Sequence, residues 1–113
     1  MGLNVDIQKI GNVHIVNCDG LIETNTSQKL KDAIGGLLKV KQYKIVVNLS
    51  KTTFMCSSAW GAVIGSLKEA RQGGGDILLA EMSDEAESGY YMANFNEIIE
   101  SRCSVKEAVE SFS

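Results

Sequence analysis

A chain of 113 residues, 44% of them hydrophobic, is long enough to bury a core without disulfides or metal and too apolar to remain disordered. Its formal charge of −3, with no cluster of Lys or Arg, argues against a nucleic-acid surface, and its short apolar runs fall far below the roughly 20 residues of a membrane span. Cys18, Cys56 and Cys103 are an odd number without metal-ligand spacing, so reduced thiols in a cytoplasm are expected, with no bound metal or cofactor.

One domain over residues 1–113 is the natural reading, and Met1 leads into Leu3-Asn4-Val5-Asp6-Ile7 without the pattern of a signal peptide. Leu3, Val5 and Ile7 alternate with Asn4, Asp6 and Gln8, the period of a half-buried strand. Gly11-Asn12 predicts a two-residue hairpin into a second strand, Val13 to Cys18, which Asp19-Gly20 ends. The single histidine, His14, lies within that apolar strand and reads as structural rather than as a ligand. Asn25 with Gln28 resembles a capping box opening a helix whose inward face is Leu30, Ala33, Ile34, Leu37 and Leu38.

Ile45-Val46-Val47-Asn48-Leu49 is apolar on both faces, as in a strand covered by helices. A tight turn is expected over Phe54-Met55-Cys56-Ser57-Ser58, then a helix to about Gln72 with Trp60, Val63, Ile64 and Leu67 on one stripe. Gly61 and Gly65 leave a bare strip on that helix, and a backbone lying close against the sheet would explain the cost of both glycines. Gly73-Gly74-Gly75 stops the helix before the strand Ile77 to Ala80, completing a βαβ unit. Ser83-Asp84-Glu85 opens a third helix reaching about Ala93, and Ile98-Ile99 reads as a short last strand. Ser104 with Glu107 opens a terminal helix with Val105, Ala108, Val109 and Phe112 inward. The order is ββαβαβαβα. It predicts an α/β fold: a small, mixed, mostly parallel sheet with an antiparallel N-terminal hairpin, packed against about four helices.

The turn after the third strand carries the chemistry. It places the hydroxyls of Ser57 and Ser58 where a helix begins, a position that favours negative charge. Either serine is equally readable as a plain helix cap. Cys56 in the same turn invites a thiolate reading, but no histidine follows the turn and no Cys-x-x-Cys pair supplies a resolving thiol.

Taken together, these residues resemble a STAS domain of the bacterial anti-sigma factor antagonist type. The resemblance runs nearly end to end. It rests on the early hairpin, Gly20, Val46 to Leu49, the block Phe54 to Gly61, the triple glycine, and the close from Asn94 to Ile99. It implies a STAS fold and a non-enzymatic, phosphorylation-controlled binding protein without catalytic residues. In such antagonists the unphosphorylated form sequesters a serine-kinase anti-sigma factor and so regulates transcription indirectly. A metal-dependent serine phosphatase reverses the modification, and the protein is a monomer or a weak homodimer. The phosphorylatable hydroxyl maps onto Ser57. Glu23, Thr24, Asn25, Thr26, Cys56, Ser58 and Trp60 join it as candidate partner-binding residues, although the apolar stripe also reads Trp60 as core. The family usually has aspartate where this chain has Cys56, and a glycine–leucine pair where it has Ala59-Trp60. The alternative implied by the altered turn is a STAS scaffold or partner subunit, never phosphorylated, in a larger signalling or lipid-transport assembly.

Overall fold

The computed structural model describes residues 2–112. Two strands open the chain, β1 (Leu3–Ile10) and β2 (Val13–Ile22), paired antiparallel in unbroken register from Leu3↔Gly20 to Ile10↔Val13. Gly11 turns between them at φ +62°, a left-handed conformation at the first central position of a two-residue hairpin, where glycine is unstrained. Next come α1 (Ser27–Lys39), β3 (Lys44–Met55), α2 (Ser57–Gln72) and β4 (Asp76–Ala80). After them lie α3 (Asp84–Met92), a 3-10 turn (Phe95–Glu97), β5 (Ser101–Arg102) and α4 (Val105–Glu110). The sheet order is β1-β2-β3-β4-β5, and every pair after the first is parallel. This is the expected mixed α/β architecture.

The two faces of the sheet differ in cover. Val16, Cys18, Ile45, Val47, Leu49, Ile77 and Leu79 point into one core with Leu30 and Ile34 of α1, Trp60, Val63 and Leu67 of α2, and Ala86 and Tyr90 of α3. On the opposite face Val13, Ile15, Val46, Leu78 and Ala80 meet Ala108 of α4, with Val105, Val109 and Phe112 alongside. Strand residues of both parities are therefore buried in β3 and β4, which accounts for their uninterrupted apolar runs. Gly75 permits the tight entry into β4: a Cβ there would stand 2.0 Å from the Tyr43 carbonyl oxygen, itself bonded to the Asp76 amide at 3.0 Å.

Several boundaries differ from the sequence-based expectation. β2 does not end at Asp19-Gly20 but continues to Ile22, with register irregularities against β3 between Asn17 and Asp19 and between Gly20 and Leu21. Its extension pairs with a β3 that runs to Met55, so Phe54 and Met55 belong to the strand rather than to a turn. α1 begins at Ser27 after Thr26, and no capping box forms at Asn25, because the Gln28 amide donates instead to Asp32 at 2.7 Å. The last strand is Ser101–Arg102, not Ile98-Ile99; Ile99 is fully buried as a core side chain while Ile98 is exposed. Gly61 and Gly65 are exposed and face away from the sheet, with nothing within 4 Å of an added Cβ. The caps at Ser83 and Ser104 stand as expected, each hydroxyl accepting from the amide three residues on.

His14 pairs across the hairpin with Lys9, and its Nδ1 is buried without a partner. Burial, and secondarily the Lys9 charge, lower its pKa below the ordinary 6.5. The unfolded chain therefore binds a proton at a higher pH than the folded one does. Stability is undiminished above about pH 6.5 and falls as the pH drops below it. Denaturation followed from pH 8 to about pH 5 should show this loss, and His14→Gln should flatten the profile below pH 6.5.

Candidate functional site

β2 and β3 end side by side, and their last tie is the Cys56 amide donating to the Ile22 carbonyl at 2.9 Å. From that edge the chain leaves in two directions: through Glu23 to Thr26 into α1, and through Cys56 into α2. The first connection is held internally. Thr26 Oγ1 donates to the Leu21 carbonyl at 2.7 Å and accepts from the Glu23 amide at 2.9 Å, while the Ser27 amide reaches Glu23 O at 2.7 Å. Thr24 and Asn25 are left at the exposed tip, with Glu23 and Thr26 half-buried below them.

The second connection is one residue long. Cys56 occupies the N-cap position of α2 in an extended conformation, its carbonyl accepting from the Ala59 and Trp60 amides, each at 3.1 Å. Its thiol does not cap the helix; Sγ lies 3.1 Å from Ser58 Oγ. Neither serine is the cap. Ser57 is the first helical residue, exposed, and its hydroxyl has no hydrogen-bond partner among the described residues. The first turn of a 16-residue helix is thus left without a side-chain cap, its amides and positive dipole end directed at the surface that Ser57 occupies.

An open groove of about 550 Å³ runs from this turn between α1 and α2, with Thr24, Ser27 and Lys31 on one wall and Ser58, Gly61 and Gly65 on the other. The bare strip of α2 lines this groove, which is why the two glycines meet nothing. Glu23, Thr24, Asn25, Thr26, Cys56, Ser57 and Ser58 are therefore brought together at one edge of the sheet. Trp60 is not part of that surface. It is 3% exposed, with ring centroids 5.1 Å from Phe95 and 6.0 Å from Tyr90, so the alternative in which it is a contact anchor falls and the core position holds. Phe54 was not singled out from the sequence, yet it stands 51% exposed three residues before Ser57, opposite Leu21. Strand alternation with the buried Met55 is the signal that would have found it.

The single histidine stands away from the Cys56 thiol. Cys18 is buried and pushed up to about 12 by burial, with the Asp6 charge adding to the effect. His14 pairs with Ile45 at the start of β3, the end remote from Cys56, so no cysteine–histidine pair exists at the turn. No helix among the described residues is long and apolar enough to cross a membrane.

This fold, with a helix N-terminus presented at the carboxyl edge of a small mixed sheet, defines the class. The chain belongs to the STAS domain family, whose model matches residues 4–110. Among solved structures it is similar to a candidate anti-sigma factor antagonist from Thermotoga maritima, at 19% identity and a TM-score of 0.88, covering 96% of this chain and 93% of that one. It is similar also to an anti-sigma factor antagonist from Mycobacterium paratuberculosis, at 14% identity and a TM-score of 0.90, covering 98% and 94%. The anti-sigma factor antagonist SpoIIAA shares the fold in its unphosphorylated form (16% identity, TM-score 0.79, covering 96% and 95%). So does the phosphorylated form of SpoIIAA, the Bacillus cell fate determinant (15% identity, TM-score 0.75, covering 97% and 100%).

Proposed function

We propose that this chain is a cytoplasmic, non-enzymatic anti-sigma factor antagonist whose binding face is switched by phosphorylation of Ser57. In its unmodified state the edge formed by Ser57, Ser58, Cys56 and the Glu23–Thr26 connection docks a serine-kinase anti-sigma factor. Phosphate on Ser57 ejects that partner, and a metal-dependent serine phosphatase restores docking. The observation that carries the reading is the exposed, unpartnered Ser57 hydroxyl on the first residue of a helix whose N-terminus no side chain caps. Phosphoserine brings about −1.5 to −2 charges. Free amides and the helix dipole accommodate them within the domain, whereas a covering partner would have to desolvate them. The existence of the related SpoIIAA in phosphorylated and unphosphorylated forms on the same fold supports the assignment.

Incubation with the cognate anti-sigma kinase and ATP should place a single phosphate on Ser57, read by fragment mass spectrometry. Phosphate elsewhere, or none, would defeat the switch; none together with stable recovery in a large complex would favour the scaffold role. Phe54 supplies an exposed aromatic beside the turn, the kind of side chain that anchors an interface core. Phe54→Ala is expected to weaken partner binding about tenfold while leaving the melting temperature nearly unchanged.

A further inference from the structure

β1 is an open edge. It forms eight residues of unbroken ladder with β2 and carries no bulge, and no strand among the described residues pairs with its other side. Three of the usual protections of such an edge, proline, bulges and extreme shortness, are absent from β1; what guards it is the charge of Asp6 and Lys9. The opposite edge of the sheet, β5, is two residues long. Ile10 and Val13 close the two-residue hairpin as a hydrogen-bonded pair, so alternation directs the amides and carbonyls of Leu3, Val5, Ile7 and Lys9 outward. Lys29 Nζ already takes the Leu3 carbonyl, at 2.8 Å. The free run is therefore Val5, Ile7 and Lys9, with Ile7 at its centre.

We infer that this edge is a self-association surface on which a second copy of the chain pairs antiparallel, with Ile7 against Ile7 on the two-fold axis. In that register Val5 pairs with Lys9 of the second copy, and Lys9 with its Val5, each pair exchanging both backbone hydrogen bonds. The three outward residues left free by Lys29 are all used. A register moved by one residue toward the chain start would set Asp6 against Asp6 and would require the Leu3 carbonyl.

Side-chain chemistry agrees with the symmetric register. Ile7, on the face toward α1, is 46% exposed and would cover its own symmetry mate. A groove between β1 and α1 is lined by Val5, Ile7, Lys29 and Asp32. Pairing Val5 with Lys9 of the second copy brings that ammonium to the groove that Asp32 lines, twice by symmetry. Within one chain neither Lys9 nor Asp32 forms an ion pair among the described residues. The surface lies at the edge of the sheet opposite β5 and does not use the Ser57 turn, so it stands independently of the switch.

Sedimentation velocity over a concentration series of the full chain tests the pairing. The chain should dimerise, and Ile7→Lys, which puts like charges on the axis at an already exposed position, should weaken the dimer at least about tenfold. Lys9→Asp should also weaken it, and adding Asp32→Lys should restore it. Hydrogen exchange gives a readout that loss of folding would not mimic. With rising concentration the amides of Val5, Ile7 and Lys9 should slow, while those of Asp6 and Gln8, already bonded to β2, stay unchanged. A chain that remains monomeric to about 1 mM, or a dimer indifferent to Ile7→Lys, overturns the inference. Protection of those three amides only on adding a different protein overturns it as well.

Discussion

Ser57→Asp is expected to weaken binding of the proposed partner, an anti-sigma kinase, by at least about 2 kcal/mol, near thirtyfold in Kd, while Ser57→Ala binds within about twofold of the unaltered chain. The asymmetry follows from where the oxygen sits. Its hydroxyl is exposed and has no partner among the described residues, so truncation leaves nothing internal unsatisfied. A carboxylate at the same position loses its water when a partner covers it, and a surface shaped for a neutral hydroxyl offers no cation. In the free domain the same charge sits at the first residue of α2 and gains about 0.5 kcal/mol from the helix dipole. The thermal midpoint of Ser57→Asp should therefore be equal to or above that of the parent, which separates lost affinity from lost folding. Calorimetric titration of both variants decides the matter: equal affinities would remove Ser57 from the role.

The second large effect is on the fold. Trp60→Ala should cost about 3–5 kcal/mol and lower the melting temperature by roughly 15 °C or more. The indole fills the space among α2, α3 and the 3-10 turn, stacked on Tyr90 and tilted against Phe95, and is 3% exposed. Truncation opens a cavity there and removes two aromatic contacts worth about 0.5–1.5 kcal/mol each beyond burial. Against a total stability of about 5–15 kcal/mol the loss is severe. Trp60→Phe keeps a ring in place, so its partner affinity should match the parent once folding is complete. A fall in affinity with an intact melting transition would instead return Trp60 to the interface.

What was legible in the chain was whatever depends on neighbours in sequence. The Gly11-Asn12 turn, the serine caps at Ser83 and Ser104, and the glycine stop after α2 are satisfied within a few residues, and each stands where its residues indicate. The misread strand boundaries depend on distant partners, whereas at α1 one local pattern loses to another. Thr26 spends its hydroxyl on Leu21 and Glu23, and Gln28 turns to Asp32, so a capping pattern that is sound in isolation never closes at Asn25. Ile98 and Ile99 carry the hydrophobicity of a strand, but the residues that ladder onto Leu79 and Ala80 are Ser101 and Arg102. Burial and strand pairing are separate demands, and an apolar pair reports only the first.

The same division runs through the site. Cys56, Ser57 and Ser58 could be found in the amino-acid order, because a strand, a one-residue turn and a helix follow one another there without interruption. The order of elements, and with it the α/β class and the hairpin-then-parallel sheet, was likewise contained in local periodicity, since hydrophobic spacing is dictated by the faces each element must bury. That the Glu23–Thr26 connection belongs with the Ser57 turn was also legible from the sequence, and the assembled sheet supplied the tie between them, the Cys56–Ile22 bond. It also decided that Trp60 goes inward, that Gly61 and Gly65 go outward, and that Phe54 is left uncovered. Exposure is a property of what lies across from a residue, and in this chain the elements across from these positions come from segments tens of residues away.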